Sequence, residues 1–388
     1  MPNRSPTASN ASLRSCTPTS KNRLASRASF ATSVGAWMSE WRATTLDDLV
    51  RLQRGHDLPT SARRPGDIPV VGAAGPSGFH DTARTKGPGV VLGRAGASMG
   101  HATYCPDDFW PLNTSLYVTD FLGNDPRFVY YLLNQIDFSG YNSGAAQPML
   151  NRNYIKQIPI ILPPVWEQRR ISACLGALDD KIAVNDRIAY TTHMLAAAEH
   201  ARVAQQTERV STLGDVIELA YGKALPAAQR RPGPAAVYGS GGLSGWHDQP
   251  LVRGPGVIVG RKGTVGSVYW SHGDFFPIDT TYYVRMTDDR LTTEYAYFLL
   301  TGLGLSEMNS DSAVPGLNRS RALAIPVHLP NEGAIAEFTE RARPLFAMRE
   351  QKSRENHTLT ELRDTLLPEL MSGRLRVQDL EKVVEEAL

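Results

Sequence analysis

The chain has 388 residues, 41% of them hydrophobic and 21% charged, with a formal net charge of +2. That length and composition suit two or three globular domains, and no apolar run approaches the roughly 20 residues a membrane helix needs. The three cysteines, Cys16, Cys105 and Cys174, are too scattered for a metal-ligand pair or a disulfide framework, which fits a reducing, cytoplasmic setting. With so small a basic excess, any role on nucleic acid must rest on local patches or on a partner.

Residues 1–37 are rich in Ser, Thr and Ala and carry Arg4, Arg14, Lys21, Arg23 and Arg27 with no acid. Such a stretch fits a transit peptide, a disordered basic tail, or an over-extended start with translation beginning at Met38. The last is favoured because a long internal repeat begins just after Met38. "HDTARTKGPGVVLGRAG", from His80 to Gly96, returns as "HDQPLVRGPGVIVGRKG", from His247 to Gly263. Thr45–Gly96 and Thr212–Gly263 align without a gap, and 25 of the 52 pairs are identical. The match continues through "DFWPLNTSLYV" and "DFFPIDTTYYV" to "PMLNRNYIKQIPIILP" and "PGLNRSRALAIPVHLP". Two copies of one domain of ordinary size follow, over 38–163 and 208–330.

Within each copy, "GVVLGRAG" and "GVIVGRKG" read as strands closed by glycines, and "SLYV" and "TYYV" as a further strand. "PRFVYYLLNQI" and "TEYAYFLLTGL" read as short helices, and "IPIILP" and "IPVHLP" as strands ended by proline. The expected domain is mixed α/β around a twisted, partly antiparallel sheet. After each copy the pattern turns helical, over 164–207 and 331–376, leaving a tail at 377–388. Ile171, Leu175, Leu178 and Ile182 are spaced 4, 3, 4, an a/d seam that weakens beyond Asn185. In the second stretch Phe338, Leu345, Leu359 and Leu366 lie at multiples of seven; Met348 and Leu362 take the other seam position, and Lys352 and Glu355 break it. Two amphipathic helices could each pack on their own domain. A seam this narrow instead favours the two pairing antiparallel as a spacer. The fold class expected is α+β, two similar mixed α/β domains separated by two long antiparallel coiled-coil helices with pseudo-two-fold symmetry.

Three polar sites recur between the copies. Arg94 on the turn Gly93–Gly96 returns as Arg261, joined there by Lys262. The Walker phosphate loop is not matched, because a glycine interrupts the Gly-Lys-Ser/Thr order and a strand flanks it. A β-turn needing positive φ explains the glycines; the arginine can approach a phosphate or the O6/N7 edge of guanine. His80-Asp81 and His247-Asp248 lack any nucleophile pattern for catalysis, so they read as a turn or a base-edge contact, with Ser77-Gly78 and Ser244-Gly245 just upstream. Asn151-Arg152 and Asn318-Arg319 can read adenine and guanine, or can cap and salt-bridge a loop. The copies differ at Lys262 against Ala95, and at Thr264-Val265 against Ala97-Ser98-Met99, the positions that would carry sequence choice if each copy reads DNA. No methyltransferase, nuclease or helicase signature stands out, so no catalytic or metal centre is expected.

This architecture resembles the specificity subunit of type I restriction-modification systems over roughly residues 40–376. The tandem copies carry the resemblance, with two junctions. "IPIILPPVWEQRRISACLGALDDKI" resembles the family's pattern at Pro163, Pro164, Glu167, Gln168, Ile171, Leu175, Leu178, Asp179, Lys181 and Ile182; "LTELRDTLLPELMSGRLRV" resembles its distal ending. "LPNEGAIAEF" departs from it by lacking the Glu-Gln pair. The resemblance implies a non-catalytic subunit that binds double-stranded DNA, each domain reading one half-site of a bipartite target. It further implies helices that fix the gap and dock two methyltransferase (modification) and two restriction subunits. S-adenosylmethionine, ATP and Mg would be bound by those partners, none by this chain. A scaffold that binds only proteins is the competing reading. The similarity of the copies suggests related half-sites.

Overall fold

In a computed structural model, residues 40–144, 148–308 and 316–379 are described. The expectations for residues 1–37 and for the tail beyond residue 379 fall outside them. The chain divides into two compact units: residues up to Ala177 together with those from Arg363 onward, and Leu178–Leu362.

The first unit begins with β1 (Arg42–Thr45), α1 (Leu46–Leu49) and β2 (Arg51–Arg54). It continues through β3 (Ile68–Gly72), β4 (Gly75–His80), β5 (Gly89–Gly93), β6 (Ala102–Cys105), β7 (Trp110–Pro111) and β8 (Ser115–Asp120). Helix α2 (Pro126–Gln135), α3 (Arg152–Ile155) and β9 (Pro159–Leu162) complete the domain. Asp125 caps α2, its carboxylate accepting from the Phe128 N–H, with Pro126 supplying the fixed φ of the first turn. Three small sheets result, where a single sheet was expected: β2-β8-β5-β6, all antiparallel; β4-β3-β7, with β3 and β7 parallel; and the pair β1-β9. The difference lies in β5. All five of its residues are buried, because both faces are covered. Alternation sends Val90 and Leu92 into a cluster with Phe128, Val129 and Leu132 of α2, and Val91 into a second cluster with Val71, Phe109 and Tyr117. One strand thus joins two cores.

The second unit repeats this element for element: β10 (Arg209–Thr212), α5 (Leu213–Val216), β11 (Ile217–Tyr221), β12 (Ala235–Gly239), β13 (Gly242–His247) and β14 (Gly256–Gly260). Then come β15 (Val268–Ser271), β16 (Phe275–Pro277), β17 (Thr281–Met286), α6 (Thr293–Gly302), α7 (Arg319–Leu323) and β18 (Pro326–Leu329). The sheets are β11-β17-β14-β15, β13-β12-β16 and β10-β18. Val257 and Val259 of β14 face one core and Ile258 the other, as in β5.

Two 40-residue helices, α4 (Val165–Ala204) and α8 (Glu332–Met371), each about 60 Å long, contribute to both units. In the second unit they pair antiparallel: Lys181 meets Glu355 at 3.1 Å, Asn185 Nδ2 donates to Asn356 Oδ1 at 2.9 Å, and Glu199 meets Arg341 at 3.5 Å. In the first unit Ile171 and Leu175 are buried with Leu366 and Leu370. The α4 seam does not weaken beyond Asn185. It continues at the same spacing through Asn185, Thr192, Ala196 and Val203, all buried; small and polar residues hide it from an apolar pattern. In α8 the phase set by Phe338, Leu345, Leu359 and Leu366 is right, but the second seam row is not Met348 and Leu362, which are 44% and 45% exposed. It is Ile335, Ala342, Arg349 and Asn356, of which Ile335 and Ala342 are buried and the other two half-buried. Lys352 lies in the seam rather than breaking it, its ammonium 2.8 Å from the Glu355 carboxylate. Lys352 and Lys181 together hold that carboxyl down to a pKa of about 2.

Candidate nucleic-acid interface

The recurring polar sites fall into two groups. In the first domain Gly96 N–H donates to Pro148 O and Leu150 N–H to Arg94 O, while Arg94 N–H donates to Thr114 O. The Arg94 turn is thereby laced between the loop entering β8 and the Leu-Asn-Arg segment. The second domain repeats the lacing, Leu317 N–H to Arg261 O and Arg261 N–H to Thr280 O. Sites separated by 57 residues in sequence therefore share one groove, of about 880 Å³ in the first domain, lined by Arg54, His56, Arg94, Asn113, Asn151 and Arg152 among others. Gly55, just after β2, lets the groove floor close: a Cβ there would stand 2.1 Å from Leu112 O, and one at Gly222 would stand 2.1 Å from Ile278 O.

Arg94 is half-buried. Its guanidinium reaches Asn113 O at 3.4 Å and the Met149 sulfur at 3.1 Å, and burial, with the neighbouring Arg54 charge, lowers its pKa. Arg54 reaches the same Asn113 carbonyl at 3.4 Å. Among the described residues no carboxylate lies within 4 Å of Arg54, Arg94 or Arg152, and the carboxylate lining this groove, Asp57, accepts from Asn113 Nδ2 at 2.8 Å. Arg54, His56 and Asn113 were not singled out from sequence, since none of them matches its counterpart in the second copy. Asn151 Oδ1 accepts from the Asn153 N–H, and Asn318 Oδ1 from the Arg321 N–H. The capping alternative therefore holds for those oxygens, each of which keeps a second lone pair. Arg152 is exposed; Arg319 is half-buried and pairs with Glu218 at 3.2 Å. Lys262 and Thr264 are exposed on the second domain's turn, and Ser98 is half-buried in the first.

The histidines form the other group, and the structure corrects their reading as base contacts. His80 and His247 are 3% and 6% exposed. Each accepts a backbone hydrogen bond at Nδ1, from Arg64 at 3.0 Å and from Arg231 at 3.1 Å, and packs edge-on against Trp110 or Phe276. Asp81 and Asp248 pair with Arg64 and Arg231. Ser77 Oγ donates to Val70 O and Ser244 Oγ to Val237 O. Gly78 and Gly245, at φ of +135° and +144°, sit in the hairpin bulges where other residues would be strained. These residues hold the β3–β4 and β12–β13 hairpins, which is the turn alternative.

Among the described residues no three or more His, Cys, Asp or Glu are grouped to hold a metal ion, and no helix is long and apolar enough to cross a membrane. Residues 38–189 match the family model of the type I restriction modification DNA specificity domain. A curated relative, the specificity subunit of the type I restriction enzyme EcoprrI of Escherichia coli, is 22% identical over 187 residues. That alignment covers 47% of this chain and 43% of the relative, so it spans less than half the relative's length. The crystal structure of a type I restriction-modification S subunit from M. genitalium has the same fold, with a TM-score of 0.65 at 20% identity, covering 85% of this chain and 96% of that one.

Proposed function

We propose that this chain is a specificity subunit of a type I restriction-modification system, as its likeness to that DNA specificity domain over residues 38–189 supports, and that it reads a bipartite DNA target with two grooves of one design and itself performs no chemistry. The observation that carries the reading is the first groove. Arg54, Arg94 and Arg152 line one concave face with no carboxylate within 4 Å of them among the described residues, and arginines so placed suit phosphate oxygens and guanine edges. The same backbone lacing around Arg261 supports a second reader of the same design. Such a protein needs others to supply chemistry. The exposed outer faces of α4 and α8 are the surfaces on which modification subunits, carrying S-adenosylmethionine, and restriction subunits, carrying ATP and Mg, would dock.

The test is co-expression with the neighbouring modification subunit, followed by single-molecule mapping of N6-methyladenine. A split motif with a fixed gap is the expected result. No methylation, from a complex that assembles and binds S-adenosylmethionine, sinks the reading and leaves a protein-binding scaffold.

A further inference from the structure

The two grooves differ at one central place. Arg54 ends β2 and Tyr221 ends β11, each just before the glycine that closes the groove floor. In the first groove Arg54 and Arg94 share one neutral acceptor, the Asn113 carbonyl oxygen, at 3.4 Å each. Two cations on one carbonyl repel each other, and an anion seated between them relieves that repulsion. In the second groove the corresponding ring, Tyr221, is 52% exposed. Arg261 stands 5.0 Å and Arg319 5.7 Å from its centroid, and Tyr282 meets it edge-on at 5.1 Å. Glu218 already neutralises Arg319 and also stands 3.6 Å from Arg285. The first groove therefore sets two arginines, Arg54 and Arg94, on one neutral acceptor, where the second sets an aromatic ring against Arg261 and Arg319.

We propose that this one position divides the work of the two domains: Arg54 anchors a DNA phosphate in the first groove, and Tyr221 is a specificity-determining residue that lays its ring against a base in the second. The inference rests on the DNA-reading function proposed above and deepens it. A phosphate contact adds affinity and salt dependence without sequence choice. A fixed aromatic surface can select a base by apolar contact, as with a thymine methyl, and its side chain loses little further freedom on binding.

The test uses the full chain co-expressed with its modification subunit as wild type, Arg54→Tyr, Tyr221→Arg, Tyr221→Leu and Tyr221→Phe. Each is read by methylation mapping and by the salt dependence of DNA binding to the wild-type target duplex. Arg54→Tyr is expected to keep both blocks of the motif and to flatten the log–log salt slope by about one phosphate, roughly 0.9. Tyr221→Arg and Tyr221→Leu are expected to relax one position in one block only. Tyr221→Arg is also expected to steepen the slope by a similar amount, while Tyr221→Phe keeps the wild-type motif. An unchanged motif in Tyr221→Leu, or an unchanged slope in Arg54→Tyr, overturns the inference while a split wild-type motif leaves the general function standing. Absence of any wild-type motif overturns that function itself.

Discussion

At the scale of single residues, the identities shared by the copies separate into those that hold the fold and those left free to act. His80 and His247 are shared because a backbone N–H must be met inside a hairpin, whereas Arg94 and Arg261 are shared although no acid pairs with them. Repetition in sequence marks both kinds alike, so the histidines could not be sorted from the arginines without knowing burial. Arg94→Ala and Arg261→Ala should each weaken DNA binding and lower the salt slope by about one phosphate contact; a slope that stays put in the purified complex speaks against a backbone contact. A residue that sequence passed over makes a different prediction. His200 of α4 is packed among Tyr295, Phe298 and Phe338 with Nε2 buried and unpartnered, and burial depresses its pKa to about 4. A histidine kept neutral on folding stabilises fully above its unfolded pKa of about 6.5, and the stabilisation drains away as pH falls from there towards 4. The loss is bounded by roughly 3 kcal/mol, at about 1.4 kcal/mol per unit. His200→Phe should flatten that part of the stability-versus-pH curve measured by urea unfolding. A curve as steep as wild type between pH 6.5 and 4 assigns the loss to other groups.

At the scale of elements, the strands and short helices of each domain were legible because glycines, prolines and β-branched runs mark their ends. The number of sheets was not, since a run such as "GVVLG" looks the same whether it sits in one sheet or links two cores. The long helices were legible in part. Their seam was found where it is leucine and isoleucine and lost where it turns to Asn185, Thr192, Arg349 and Asn356. The pair Asn185 and Asn356 explains why such residues stay there: the two amides meet in one register only, and a slip of either helix parts them. The corrected phase is testable. Leu362→Asp, on the exposed side, should change stability by no more than about 0.5 kcal/mol. Phe338→Ala, fully buried at the seam, should cost about 3–5 kcal/mol. Thermal unfolding of the two variants decides it, and a Leu362→Asp protein as damaged as Phe338→Ala restores the phase first read from sequence.

At the scale of the whole molecule, the duplication is what the sequence discloses most plainly, because an ungapped repeat needs no knowledge of structure to be seen. The consequence, under the proposed function, is modular recognition. Each domain builds its smaller core alone and closes its larger one, across β5 or β14, on residues of α4 and α8, and each groove is laced by backbone hydrogen bonds internal to that domain. Nothing in the lining of the first groove comes from the second copy. Replacing residues 208–330 by residues 41–163 therefore substitutes like for like, strand for strand, and keeps the seam residues of α4 and α8. The chimaera should fold, assemble with modification subunits, and direct methylation to a target whose two blocks are the same sequence, that of the block read by the first domain in the wild type. Methylation mapping of wild type and chimaera side by side gives the answer. If the chimaera assembles and still marks the wild-type target, block identity resides outside the two domains, in the helices or in the partner subunits. Modular reading by paired grooves is then wrong.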